Sequence, residues 1–378
     1  MGAESPDRRT APAHIADGPP PDIARGAMNP MPVTLLTGFL GSGKTSLLRR
    51  LLASPALADT AVLVNEFGEV GLDHHLLQRL DDEIVLLQSG CLCCTIRGDL
   101  STAMRKLYTR REKGEVQPFR RLVVETTGLA DPVPILSTVM AEPVLRYHFR
   151  LGNVVTTVDA VNGLLHLERQ PESAKQAAVA DRVVITKTDI ADPSEIAELR
   201  RRLTRLNPAA PQLEIAPNVL VHPDSLLTRD LYDLAGRAEE VRRWLAVETE
   251  TTAAGAHQHQ HADVNRHDAE IHAFCLRFAQ PLDWTAFGIW LTMLLHSHGT
   301  DVLRVKGMLN VSTSPGPVVV HGVQHLVHPP EHLPQWPDDD HSSRIVFIVR
   351  GLSREAIERS LSAFARLGAP ELAKAGVA

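Results

Sequence analysis

The chain is predicted to be α/β, a mostly parallel sheet covered by helices, followed by a small C-terminal α+β domain. Three observations carry that prediction. Continuous apolar strands such as "RRLVVETTG", "NVVTTVDAV" and "DRVVITKTD" alternate with helical stretches, the pattern of a sheet buried on both faces. Past residue 270 the grammar changes, with strands grouped together and helices at their edges. At 378 residues the chain is long enough for one large core and a smaller one.

The elements follow in order. Residues 1–30, rich in Pro, Gly and Ala, are expected to be a disordered leader. They lack the apolar stretch of a secretory signal, and "MGAESP" has Pro6 where a myristoylation site wants Ser or Thr. Met28 and Met31 both stand just ahead of the first strand, so the translation start could lie at either. The α/β domain is expected over 31–232. It starts as strand, glycine loop and helix in "VTLLTGFLGSGKTSLLRRLLAS", continues through "TAVLVNEFGE" and "EIVLLQSG", and forms a helix from about Leu100 to Arg111. A polar, His-dotted linker over 233–270 leads to a C-terminal domain over 271–355 and a helix and tail over 356–378. In "DWTAFGIWLTMLLHSHG", Trp284, Phe287, Trp290, Leu291 and Leu294 keep helical spacing and read as core, with His296 and His298 as polar residues at the end.

Composition removes several functions. A formal net charge of -6 argues against a nucleic-acid binder, which would carry a basic face. No run of eighteen apolar residues could span a membrane, and the protein is expected in the cytoplasm.

"GFLGSGKT" matches the eight-residue phosphate-binding loop without a mismatch, after an apolar strand and at the start of a helix. Gly38, Gly41, Ser42, Gly43 and Ser46 shape or flank a loop whose N–H groups close around phosphates. Lys44 would reach the β- and γ-phosphates, and the Thr45 hydroxyl would bind Mg²⁺. In "RRLVVETTG" the strand ends in Glu125, an acid able to hold a water on Mg²⁺, and the Gly128 N–H can sense the γ-phosphate. In "RVVITKTD" the Asp189 carboxylate can accept the two N–H groups of a guanine edge, a donor pair adenine lacks, while the Lys187 stem packs on the base. Many guanine sites have Asn where this chain has Thr186, so specificity could be looser; a plain surface Lys–Asp pair is the alternative. These motifs together predict a P-loop GTPase domain. No glutamine in "TTGLADP" is placed to orient an attacking water, and Arg97 is not positioned by any pattern, so hydrolysis is expected to be slow alone and faster with a partner or metal.

Three of the four cysteines, Cys91, Cys93 and Cys94, crowd into "GCLCC", and the fourth is Cys275. Without an export signal this is no disulfide framework, and a bridge between adjacent residues is strained. In an extended segment Cys91 and Cys93 share a face, and Cys94 joins them only if the chain turns there. Such a site falls short of the four protein ligands of structural zinc. It suits zinc or cobalt held openly and then handed over. Glu66 or Glu69 could complete the coordination, a surface role for each being the alternative; a redox role for the thiols is the other alternative. The cluster lies between "NEFGEVGLD" and the Glu125 strand, where nucleotide-sensing segments of P-loop GTPases lie, so exchange of GTP for GDP would reshape the ligand set. His257, His259 and His261 in the linker's "HQHQH" can chelate a divalent ion, or serve only as solvated linker. His321, His325, His328 and His332 alternate with apolar residues around a strand and predict an exposed sheet face.

Taken in order, "GFLGSGKT", "NEFGEVGLD", "GCLCC", "ETTGLADP", "VDA" (158–160) and "TKTD" resemble the CobW-type family of metal-chaperone GTPases, and "LDWTAFGIWL…VLRVKGMLNV…VVVHGVQHLVH" resembles the family's C-terminal domain. The resemblance runs from Val33 to Leu352. It implies that GTP hydrolysis drives transfer of a metal, zinc in the best-understood branch, from Cys91, Cys93 and Cys94 to a client metalloprotein. It implies also that Gly38, Gly41 to Thr45, Glu125, Thr186 and Asp189 serve the nucleotide. The metal, the client and whether the chain forms a homodimer do not carry over. A nucleotide-regulated metal buffer without delivery, and a P-loop small-molecule kinase, are the rival readings.

Overall fold

The computed structural model describes residues 30–64, 100–216, 226–227 and 271–368, together with the strand backbone of 77–79, 84–87 and 92–95. Its first domain carries β1 (Met31–Gly38), α1 (Lys44–Leu52), β2 (Thr60–Val64), β3 (Leu77–Arg79), β4 (Ile84–Leu87), β5 (Leu92–Thr95), α2 (Leu100–Glu112) and β6 (Arg121–Glu125). It continues with α3 (Pro132–Ala141), α4 (Pro143–His148), β7 (Phe149–Asp159), α5 (Gly163–Arg169), α6 (Pro171–Val179), β8 (Arg182–Thr186), α7 (Pro193–Leu206) and β9 (Gln212–Ile215). These strands form one sheet in the order β3-β4-β5-β2-β6-β1-β7-β8-β9. From β5 to β9 every neighbouring pair is parallel; β3 and β4 add an antiparallel edge.

Helices cover both faces, which is why the strands read as unbroken apolar runs. Leu35, Ala61, Leu63 and Val124 face one layer with Met104 and Leu107 of α2. Leu36, Val62, Val64 and Val123 face the other, against Leu47, Leu48 and Leu51 of α1. Helix starts follow the sequence chemistry. Asp131 caps α3 by accepting the Val133 N–H at 3.0 Å, and Asp192 caps α7 by accepting the Ser194 N–H at 2.8 Å, each with proline at the first helical position.

The C-terminal domain holds β10 (Ile271–Phe278), α8 (Trp284–His298), β11 (Val302–Leu309), β12 (Val318–Val323), β13 (Leu326–Val327), β14 (Glu331–His332), β15 (Ser343–Arg350) and α9 (Arg354–Gly368). Its antiparallel sheet runs β10-β15-β11-β12-β13, with β14 on β12. One face packs on Phe287, Trp290 and Leu294 of α8 and on Ile357 and Leu361 of α9. The other face turns to the first domain. Leu303, Val323, Leu326 and Ile348 share a core with Ala177 to Val179 of α6 and with Leu199 and Leu203 of α7.

That second contact corrects one expectation. His321 and His328 are buried, at 5% and 4% exposure, instead of lying on an open sheet face; His325 and His332 are exposed. Alternation with apolar residues shows that residues share a face, not whether another domain covers it. Here the α6 side of the first domain does.

Candidate functional site

The phosphate loop forms at the carboxyl end of β1, where the backbone must turn sharply into α1. Gly38, Gly41 and Gly43 hold φ of 142°, 72° and 88°, values L-residues rarely adopt. At Gly38 a Cβ would also run into Thr157 and come within 2.7 Å of the Ser42 Oγ. Ser42, 1% exposed, shares a 2.6 Å hydrogen bond with the Thr157 hydroxyl, so it braces the loop from inside. Lys44 folds back over the loop, its Nζ donating to the Gly38 carbonyl at 3.0 Å and the Phe39 carbonyl at 3.3 Å. Ser46 is exposed on the first turn of α1.

Two strand tips close on this loop. Glu125 ends β6 at 0% exposure, and its Oε1 accepts the Thr45 hydroxyl at 2.6 Å. A hydroxyl and a carboxylate in contact at the edge of a phosphate loop form an oxygen donor set suited to Mg²⁺. Gly128 lies just beyond. A Cβ there would meet the Leu40 backbone N and Cα at 2.7 Å, so only glycine lets the segment lie against the phosphate loop.

At the other side, Thr186 ends β8. Its hydroxyl donates to the Ser42 carbonyl at 2.8 Å and the Val158 carbonyl at 3.3 Å. A threonine therefore ties the end of β8 to the phosphate loop. Lys187 takes a left-handed φ of 58°, and its Nζ reaches the Asp159 Oδ2 at 2.6 Å. Asp189 is exposed beyond it, free of the sheet core.

Two residues that motif reading missed take part. Asp159, 2% exposed at the tip of β7, accepts from Lys187, from the Val161 N–H at 2.9 Å and from the Asn162 side chain at 3.2 Å. Burial alone would raise its pKa, but the hydrogen bonds from Lys187, Asn162 and Val161 hold it below the usual aspartate value. Its signal was visible in "VDA", an acid at a strand tip like Glu125. Gln176 on α6 reaches the Gly128 and Ala130 carbonyls, and nothing in its helix marks it.

For the thiols, the backbone of β5 is informative. Cys93 and Cys94 are consecutive residues of β5, paired with Val62 and Leu63 of β2, and the strand continues extended to Thr95. Thr95, Val64, Glu125 and Leu36 are register partners across β5, β2, β6 and β1. Cys91, Glu66, Glu69, Arg97 and the linker's His257, His259 and His261 lie outside the described residues.

Comparison with known proteins places this geometry. Residues 32–214 match the model of the CobW/HypB/UreG nucleotide-binding domain, and 271–365 match that of the cobalamin synthesis protein CobW C-terminal domain. The zinc chaperone YjiA of Escherichia coli is 35% identical over 335 residues, covering 89% of this chain and 99% of its own length. This chain belongs to the CobW family of P-loop GTPases. Among other members, a fission-yeast protein named zinc-regulated GTPase metalloprotein activator 1, from Schizosaccharomyces pombe, is 30% identical over 75% of this chain and 73% of its own. The crystal structure of Zn(II)-bound YjiA GTPase from E. coli superposes on this CobW-type chain with a TM-score of 0.65 and 31% identity, across 89% of this chain and 99% of YjiA. The family is one of zinc chaperones and GTPase metallochaperones. Among the described residues of this member, no helix is long and apolar enough to cross a membrane.

Proposed function

We propose that this chain hydrolyses GTP and uses the cycle to control a zinc ion held by Cys91 and Cys93, with Cys94 joining them when β5 turns at that point, and that it delivers the ion to a client metalloprotein. The observation that carries the reading is the sheet register. Cys94 pairs with Leu63 and Leu63 with Val124, so its backbone stands two strands, about 10 Å, from the strand that ends in Glu125. The thiol strand and the phosphate edge are therefore near enough in the sheet for a movement of one to reach the other. The name of the 35% identical relative, zinc chaperone YjiA, supports zinc as the ion.

In this reading the Lys44 ammonium exchanges the Gly38 and Phe39 carbonyls for phosphate oxygens when nucleotide arrives. Thr45 and Glu125 would hold Mg²⁺, which supplies positive charge against the phosphate oxygens when bound. The Gly128 N–H reports the γ-phosphate. Asp189 reads guanine, with Asp159 holding the Lys187 stem in place beside it. Zinc, as cargo, takes thiolate ligands, which leave room for a client's own donors.

Zinc affinity of the purified chain with GDP, with a non-hydrolysable GTP analogue and without nucleotide tests this, with Cys91, Cys93 and Cys94 changed together to Ser in parallel. The expected result is an affinity that differs between nucleotides and is lost in the triple variant. Binding indifferent to nucleotide would leave a passive buffer, and phosphorylation of a small acceptor unaffected by the triple variant would leave a kinase.

A further inference from the structure

One helix grips both the loop after β6 and the C-terminal sheet. On α6, the Gln176 side chain is 0% exposed, and its Nε2 donates to the Gly128 carbonyl at 3.1 Å and to the Ala130 carbonyl at 3.0 Å. Its neighbour Lys175 pairs with the Asp131 Oδ2 at 2.6 Å, and Asp131 caps α3 through its other oxygen. The stretch 128–131 is thus held to α6 at three points, while Gly128 itself lies against the Leu40 backbone of the phosphate loop.

The far end of α6 is joined as firmly to the second domain. Arg304 of β11 donates to the Val179 carbonyl at 3.2 Å and pairs with Asp181, just past the helix. Lys306 reaches the same Asp181 oxygen at 2.9 Å, and all three side chains are 1–2% exposed. Asp181 also accepts the Val154 N–H at 2.9 Å. Opening such a cluster would strand charges away from water, so the joint carries a displacement instead of absorbing it. The other tie, one amide spanning the buried Gly128 carbonyl and the half-buried Ala130 carbonyl, cannot slip by one residue without leaving an acceptor unpaired.

We propose that Gln176 is a positioning residue for the nucleotide-sensing loop, and that α6 carries the position of that loop to the C-terminal sheet, so that GTP and GDP set different states of β11 and β12. This rests on the guanine-nucleotide reading above. It gives the second domain a means of responding to the nucleotide that does not pass through the thiols.

The test is hydrogen exchange on the full chain with GDP and with a non-hydrolysable GTP analogue, read at 302–309 and 318–323, with nucleotide affinities measured alongside. Wild type should show exchange rates there differing by about fivefold or more between the two nucleotides. Gln176→Leu should still bind both nucleotides and lose the difference. A purely structural glutamine would instead raise exchange equally in both states and leave the ratio intact, which would overturn the link. Should Gln176→Leu fail to fold, Lys175→Met, at a side chain 22% exposed, should reduce the ratio; an unchanged ratio in that variant also overturns the link. Wild type that binds both nucleotides with equal exchange in these strands overturns the link alone. A chain that binds no guanine nucleotide overturns the proposed function and the link with it.

Discussion

Glu125 and Asp181 are both carboxylates withdrawn from solvent, at 0% and 1% exposure, yet their surroundings differ. Glu125 ends a strand at the phosphate edge and accepts a hydroxyl from Thr45. Asp181 sits between two domains and takes two cations, Arg304 and Lys306. At the interface the negative charge is already matched, and burial, which by itself would raise the Asp181 pKa, is outweighed by the two cations, so the carboxyl lies well below the usual range. At the nucleotide edge an oxygen pair faces the loop that receives phosphates, and a cation can join it. The comparison separates a carboxylate held by two cations from one that meets a hydroxyl at the edge of the phosphate loop, although both look alike by burial.

That contrast can be broken. The largest effect is expected from Asp181→Asn, which leaves Arg304 and Lys306 buried without their counter-charge and should cost about 3–5 kcal/mol in urea unfolding. Guanine-nucleotide affinity of the folded protein should change little. A variant as stable as wild type would show that the interface charge is dispensable.

Acid should loosen the same interface. Burial, with the neighbouring Arg304 and Lys306 charges, lowers the His328 pKa to about 4, while Asp181 opposes them; His321 is lowered too, by burial first and then by Lys306, His328 and Arg304. Both rings are therefore neutral in the fold, whereas the unfolded chain protonates them below its ordinary histidine pKa of about 6.5. In that window the unfolded state binds more protons, so stability rises with pH and falls as pH drops from about 6.5 to about 4. For His328 the loss is on the order of 3 kcal/mol. Melting temperature followed across that range checks it, and His328→Gln should flatten the profile.

At the nucleotide edge the balance should invert. Glu125→Gln is expected to lower GTP hydrolysis by about 10²-fold. Its unfolding free energy should stay within about 1 kcal/mol of wild type, because the amide can still accept from Thr45. Steady-state phosphate release and denaturant unfolding on one preparation give both numbers. The smallest effect is expected from Thr186→Val, which removes the donor to the Ser42 and Val158 carbonyls and should cost about 1–2 kcal/mol. GDP affinity, measured by calorimetry, should fall by up to about tenfold. No loss of affinity would mean that the phosphate loop does not depend on that tether.

How legible each part was depends on how local its physics is. The phosphate loop could be read because eight adjacent residues supply the turn, the N–H groups and the lysine, and Gly38, Gly41 and Gly43 do take positive φ. Glu125 was readable as an acid ending an apolar strand. Thr186 was readable only as a departure from asparagine; its hydroxyl's hold on Ser42 spans 144 positions, which no local pattern encodes. His321 and His328 were misread for the same reason, since their neighbours in space are Arg304 and Lys306 of another strand and Asp181 of another domain.

The sequence by itself determined which local patterns this chain carries: a phosphate loop, a strand-tip acid, the "TKTD" run after β8 and a crowd of thiols, each a short stretch of adjacent residues. Tertiary structure alone decided that Lys187 is held by Asp159, that Gln176 clamps the Gly128 loop, and that a buried ion cluster fastens the second domain to α6. The physical reason is that a buried polar group must find its partner wherever the chain's topology puts one, and that distance is invisible along the sequence.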